Sequence, residues 1–129
     1  MLRIEGEIPA PVELGFEDLA ALPGQIADVS TLAPGREGGA VRFDALLAKV
    51  GVGDRATRVT LESTDGTFSQ AAPLAALRSA VLVYRLGDAP LPADRGGPVR
   101  FLIPDLEECA AAGVDRCTNV KALGRVRIS

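Results

Sequence analysis

Two apolar runs and the punctuated connection between them constrain this chain more than any other feature. The runs are Ala80-Val81-Leu82-Val83-Tyr84 and Val99-Arg100-Phe101-Leu102-Ile103. Each is short, rich in β-branched or aromatic residues and bounded by breakers, which reads as a strand. Gly87-Asp88 ends the first run, Gly96-Gly97-Pro98 precedes the second, and Pro104 stops it. The first run is apolar throughout, as expected of a strand covered on both faces. Both are expected in the interior, because at an edge either would leave a large exposed apolar surface.

Length and composition narrow the class further. With 129 residues, 47% hydrophobic and 24% charged, the chain has the size and balance of one soluble globular domain, expected to span residues 1–129. No apolar run approaches the roughly 18 residues of a membrane span, and no secretory leader pattern opens the chain. A cytoplasmic protein with no membrane association is the expectation. The net charge of −3 argues against a nucleic-acid partner, which requires a clustered basic surface. Histidine is absent. That removes the commonest general base near neutral pH, and with it a Ser-His-Asp hydrolase and a His-ligated zinc site.

In chain order, Leu2, Ile4 and Ile8 alternate with Arg3, Glu5 and Glu7 as in a half-buried strand, which Pro9 and Pro11 end. Phe16, Leu19 and Leu22 stand at helical spacing before Pro23-Gly24. Ile26 to Val29 reads as a short strand and Ser30 to Ala40 as a Gly-rich loop. Asp44 suits the N-cap of a helix over 45–50 that Gly51 closes. Thr57, Val59 and Leu61 alternate as a strand, Asp65-Gly66 marks a hairpin turn, and residues 67–70 return antiparallel. Pro73 to Leu77 suits a short helix, and Asp105 with Glu108 opens another. The last strand places Val120, Ala122, Val126 and Ile128 on one face, with Lys121, Leu123, Arg125 and Arg127 on the other. The sum is a single α+β domain with a mixed β-sheet and short helices.

Several of these phrases occur together in one family. An apolar strand, a Gly turn, Pro90-Leu91-Pro92 and then Gly96-Gly97-Pro98-Val99-Arg100 resemble the molybdopterin-binding domain of the sulfite oxidase family. The Leu-Pro entry segment, the run Phe43 to Val52 and the hairpin Leu61 to Phe68 are similar to the same family. The resemblance covers most of the chain apart from Ser30–Ala40 and Asp105–Thr118. It implies a pocket built by loops at one end of the sheet, holding molybdopterin. It also implies a metal bound through one cysteine thiolate, on the loop between an early strand and the helix at Asp44. Here the first cysteine is Cys109, and Val29-Ser30-Thr31-Leu32 and the Gly-rich loop occupy that place. Serine is a poor replacement for a soft thiolate.

The resemblance places Asn119 and Lys121 in a pocket-lining segment, with the lysine facing the anionic part of a ligand. Cys117, beside Arg116 and preceding that segment, is a candidate thiol, since an adjacent cation favours the thiolate. Arg36 in the Gly-rich loop and Asp65-Gly66 at the hairpin turn are candidates for the same rim. Each has a plainer reading: solvation for Arg36, the turn itself for Asp65 and Gly66, a small buried side chain for the cysteines. Arg125 and Arg127 are expected to pair with Glu5 and Glu7 if the first and last strands are neighbours. Three functions fit. The first is a non-catalytic module for a small anionic ligand, a pterin or molybdopterin-like molecule without bound molybdenum. The second is a molybdenum oxidoreductase using Cys117 or Cys109. The third is a protein-interaction domain with an empty pocket, its partner unidentified.

Overall fold

The computed structural model describes residues 2–31, 38–66, 69–74, 80–95, 97–102 and 122–129. Its first strands are β1 (Leu2–Gly6), β2 (Val12–Leu14), β3 (Gln25–Ile26), β4 (Gly39–Arg42) and β5 (Arg58–Ser63). β6 (Ser69–Pro73), β7 (Val81–Leu86), β8 (Ala89–Pro90), β9 (Arg100–Leu102) and β10 (Leu123–Ile128) follow. The helices are α1 (Phe16–Ala20) and α2 (Phe43–Val50). The α+β reading with mixed pairing holds, and the strands divide between two sheets. One runs β2-β1-β10-β5-β6, with β1 and β10 parallel and the other pairs antiparallel. The other is antiparallel and runs β3-β4-β7-β8, with β9 also on β7.

The sheets enclose the main core. Leu2, Ile4, Val59, Leu61, Val126 and Ile128 of the first sheet join Val41, Leu82, Tyr84 and Phe101 of the second. Leu19 of α1 and Phe43 and Leu46 of α2 close it. A smaller cluster gathers Val29, Ala40, Val81, Val83, Leu91 and Leu102. Successive residues of a strand face opposite ways, so β7 feeds Leu82 and Tyr84 to one cluster and Val81 and Val83 to the other. None of the four is more than 3% exposed. The unbroken apolar run is thus the signature of a strand with a core on each face. β9 is buried at Phe101 and Leu102, yet among the described residues it pairs with β7 alone. Just before it, the Val99 carbonyl accepts the Leu123 N–H at 2.7 Å, tying the start of this segment to the first sheet.

Four local expectations need correction. Arg42, not Asp44, is the N-cap of α2. The Phe43 N–H is taken by the Ala80 carbonyl at 2.9 Å, so the chain enters the helix two residues earlier, and Asp44 pairs with Arg42 in the first turn. Ile26–Val29 is not one strand: only Gln25–Ile26 pair, and Val29–Thr31 wind into a 3₁₀ turn after Asp28. Pro73 closes β6 opposite Arg58 and so stands before any helix rather than inside one, while residues 75–77 of the helix read there lie outside the described residues. Among the described residues β6 is an edge strand, where a residue lacking an N–H is tolerated. Finally, Leu123 is buried with Val126 and Ile128, because a register shift between Leu123 and Arg125 inserts an extra residue. That bulge moves Leu123 to the face opposite the one that alternation along β10 assigns it. The helix read from Asp105 lies outside the described residues.

The backbone is also strained just before the bulge. Ala122 has φ 51°, in the left-handed region, while its carbonyl accepts the Thr64 N–H at 2.8 Å. The residue is held there by its partners against a cost of roughly 1–2 kcal/mol. Ala122→Gly is therefore expected to raise stability by about 1 kcal/mol, read as a higher denaturant midpoint. A loss of stability would show that the alanine methyl contributes more than its backbone costs.

On the outer face of the first sheet the charges form a ladder. Arg125 reaches Glu5 at 3.0 Å, as the neighbouring-strand argument expects, and Glu62 at 3.6 Å. Arg127 turns to Glu62 at 4.0 Å instead of Glu7, because β1 ends at Gly6 and Glu7 leaves the sheet. Such half-exposed pairs contribute at most about 1 kcal/mol each.

Candidate functional site

The site is built where β3, β4 and the end of β7 meet α1. A cleft of about 530 Å³ opens there, lined by Ala20, Gln25 to Asp28, Gly38, Gly39 and Arg85 to Gly87. Its floor depends on the glycine pair. A Cβ on Gly38, which has φ +117°, would lie 2.5 Å from the Arg85 carbonyl oxygen. One on Gly39 would meet the Arg85 Cγ at 2.7 Å and Cδ at 2.8 Å. Only glycine lets the Arg85 side chain lie flat across β4.

Arg85 ends the apolar run, and its guanidinium is oriented by three neighbours. Nε donates to the Gly87 carbonyl at 2.8 Å, Nη2 reaches the Asp88 carboxylate at 3.2 Å, and the group stands 6.0 Å from the centroid of the Phe16 ring. Asp88 is fully exposed, so the charge it gives Arg85 is screened and exchangeable.

Asp28 stands on the same cleft, at the neck where the loop leaves β3. The Val29 N–H donates to the Gly38 carbonyl at 2.9 Å, which clamps the two ends of that loop together. The Asp28 Oδ1 accepts the Ser30 hydroxyl at 2.6 Å and the Ser30 N–H at 3.0 Å. First the hydroxyl and then the N–H hold the Asp28 carboxyl below its usual value, so it is ionised throughout the neutral range. Gln25 is spent on structure. Its amide nitrogen donates to the Leu19 and Leu22 carbonyls at 2.8 and 2.9 Å, and its oxygen accepts the Tyr84 hydroxyl.

A second, apolar pocket of about 170 Å³ lies nearby, bordered by Phe16, Leu19, Tyr84, Pro90 and Pro98 among others. The hairpin turn is separate from both pockets. Asp65 accepts the Ser63 hydroxyl at 2.7 Å, and the Gly66 N–H closes the turn on the Ser63 carbonyl; neither residue lines either pocket. Arg36, Cys109, Cys117, Asn119 and Lys121 lie outside the described residues. Sequence reasoning missed Arg85 and Asp28. The available signal for Arg85 was a cation directly ending a wholly apolar strand, next to a Gly-Asp turn.

A family model described as the oxidoreductase molybdopterin binding domain matches residues 38–128. Among solved structures, the sulfane dehydrogenase SoxCD from Paracoccus pantotrophus is similar, with a TM-score of 0.69 at 21% identity. The match covers 98% of this chain and 37% of that one, so the chain spans little more than a third of that relative's length. At this identity the likeness concerns the fold. No curated protein matches. The cleft-bearing scaffold and the family match over most of the sequence agree: the chain belongs to the oxidoreductase molybdopterin binding domain family.

Proposed function

We propose that this domain is a module that holds a small anionic ligand of the pterin class in the cleft beside Arg85, without a protein thiolate on a metal. The observation that carries the reading is Arg85 itself, a cation oriented on a cleft wall whose counter-charge is an exposed, exchangeable aspartate. A phosphate or carboxylate entering the cleft takes the place of Asp88 and gains a fork of N–H donors.

The family's metal centre is a poorer fit to this donor set. The segment following β3 offers Asp28, Ser30 and Thr31, oxygen donors only, and the first two are bonded to each other. Among the described residues no three histidine, cysteine, aspartate or glutamate side chains converge as a metal site. A sulfur-rich molybdenum centre is served by a soft thiolate, which this segment does not supply. The organic, anionic part of the family's cofactor needs no such ligand.

Titration with neopterin monophosphate tests the proposal. Arg85→Gln is expected to lower affinity about ten- to hundredfold, as befits a lost charge-assisted hydrogen bond, with little change in melting temperature. If Lys121→Met removes binding and Arg85→Gln does not, the ligand sits elsewhere and the cleft reading fails. Stoichiometric molybdenum in protein made in a cofactor-competent host would overturn the thiolate-free reading in favour of the oxidoreductase.

A further inference from the structure

The cleft holds two opposite charges that do not neutralise each other. Arg85 pairs with Asp88, and no ion pair joins it to Asp28, although both border the same space. The remaining polar side chain of the lining, Gln25, has all its hydrogen bonds made within the fold. Asp28 is only half committed. Both bonds from Ser30 fall on Oδ1, and Oδ2 has no hydrogen-bond partner among the described residues. Those two bonds also orient the carboxylate, so little side-chain entropy is left to lose when a ligand arrives.

A fixed carboxylate at one place and a cation at another select a ligand with two poles. One end must carry an anion. The other must present N–H donors, and a carboxylate is matched best by two adjacent ones in a plane, as in guanidinium–carboxylate pairs. An amino-oxo pyrimidine ring has such an edge, formed by its exocyclic amino group and the neighbouring ring N–H. A cleft of about 530 Å³ is within the range of small-molecule sites and has room for a fused bicyclic ring of this kind with its substituent.

We infer that Asp28 reads the amino edge of the ligand, so that the cleft selects amino-oxo pteridines over their dioxo analogues; this rests on the reading of the cleft as the ligand site. The parent compounds pterin and lumazine separate the roles, because lumazine carries an oxo group in place of the amino group and neither has an anion for Arg85. Wild-type protein is expected to bind pterin at least about tenfold more tightly than lumazine, since lumazine sets a carbonyl oxygen against the carboxylate. Asp28→Asn keeps an oxygen for Ser30 and replaces Oδ2 with a donor, so the loop capping survives while the preference reverses towards lumazine. A reversal is a readout that loss of folding cannot imitate. Equal binding of the two compounds, or an unaltered preference in Asp28→Asn, overturns the inference. If neopterin monophosphate still binds in an Arg85-dependent way, the function stands without it. If pterin, lumazine and neopterin monophosphate all fail to bind at millimolar concentration, both readings fall together.

Discussion

Phe43→Ala is expected to lower the unfolding free energy by about 3–5 kcal/mol, the range for deleting a buried ring. Phe43 is completely buried at the start of α2, and its ring meets Phe101 edge-on at 5.3 Å. It therefore links α2 to β9 across the main core, and its own N–H anchors the helix start to Ala80. Small domains hold about 5–15 kcal/mol in total, so the variant should unfold at a much lower denaturant concentration or fail to accumulate. Phe43→Leu, which retains most of the volume, should cost less than about 1.5 kcal/mol if the core repacks around it. Equal costs for the two variants would mean that ring geometry, not filled volume, holds this part of the core.

Gly6→Ala is expected to be comparably severe for a different reason. Gly6 has φ +105°, and a Cβ built there would stand 1.9 Å from the Ile128 carbonyl oxygen. That oxygen accepts the Glu7 N–H at 2.8 Å, at the end of the parallel β1–β10 pair. A methyl group has to push the two strands apart exactly where they tie the N- and C-terminal segments together. A loss of about 3–5 kcal/mol follows, among the larger single-residue effects. Gly66→Ala is the control. Gly66 also has a positive φ, +74°, but nothing lies within 4 Å of the added Cβ. Only the backbone cost of roughly 1–2 kcal/mol should appear. Similar losses at both glycines would assign the effect to backbone conformation and remove the close approach as its cause.

The charged face of the first sheet and the cleft show how differently the two kinds of polar residue behave in this fold. Glu5, Glu62, Arg125 and Arg127 pair with one another as ions across neighbouring strands. Arg85 and Asp28 are instead oriented by their own neighbours in sequence, Gly87, Asp88 and Ser30, and are left facing a common space. Local tethering of that kind positions a charge without consuming it.

The amino-acid sequence alone determined the features that rest on short-range pattern. The alternation of Leu2 and Ile4 with Arg3 and Glu5, the Asp65-Gly66 hairpin and the helix stop at Gly51 are each set by a few adjacent residues. The apolar run over residues 81–84 in β7 carried more, because a stretch without charged positions has to be buried on both faces, and it is. The resemblance carried by the Gly-Gly-Pro segment and the phrases around it was likewise sufficient for the family. Tertiary structure decided the rest. A bulge at Leu123–Arg125 depends on how β10 meets β5, so alternation counted along β10 alone assigned Leu123 to the wrong face. The early helix start at Phe43 depends on the carbonyl of Ala80, which is distant in sequence. The cleft is the clearest case. Arg85 comes to lie over Gly39 and beside Phe16, and Asp28 shares its space, only because β3, β4, β7 and α1 converge there. Local pattern reports which face of a strand is buried; which side chains from four separate segments meet is settled by packing between them.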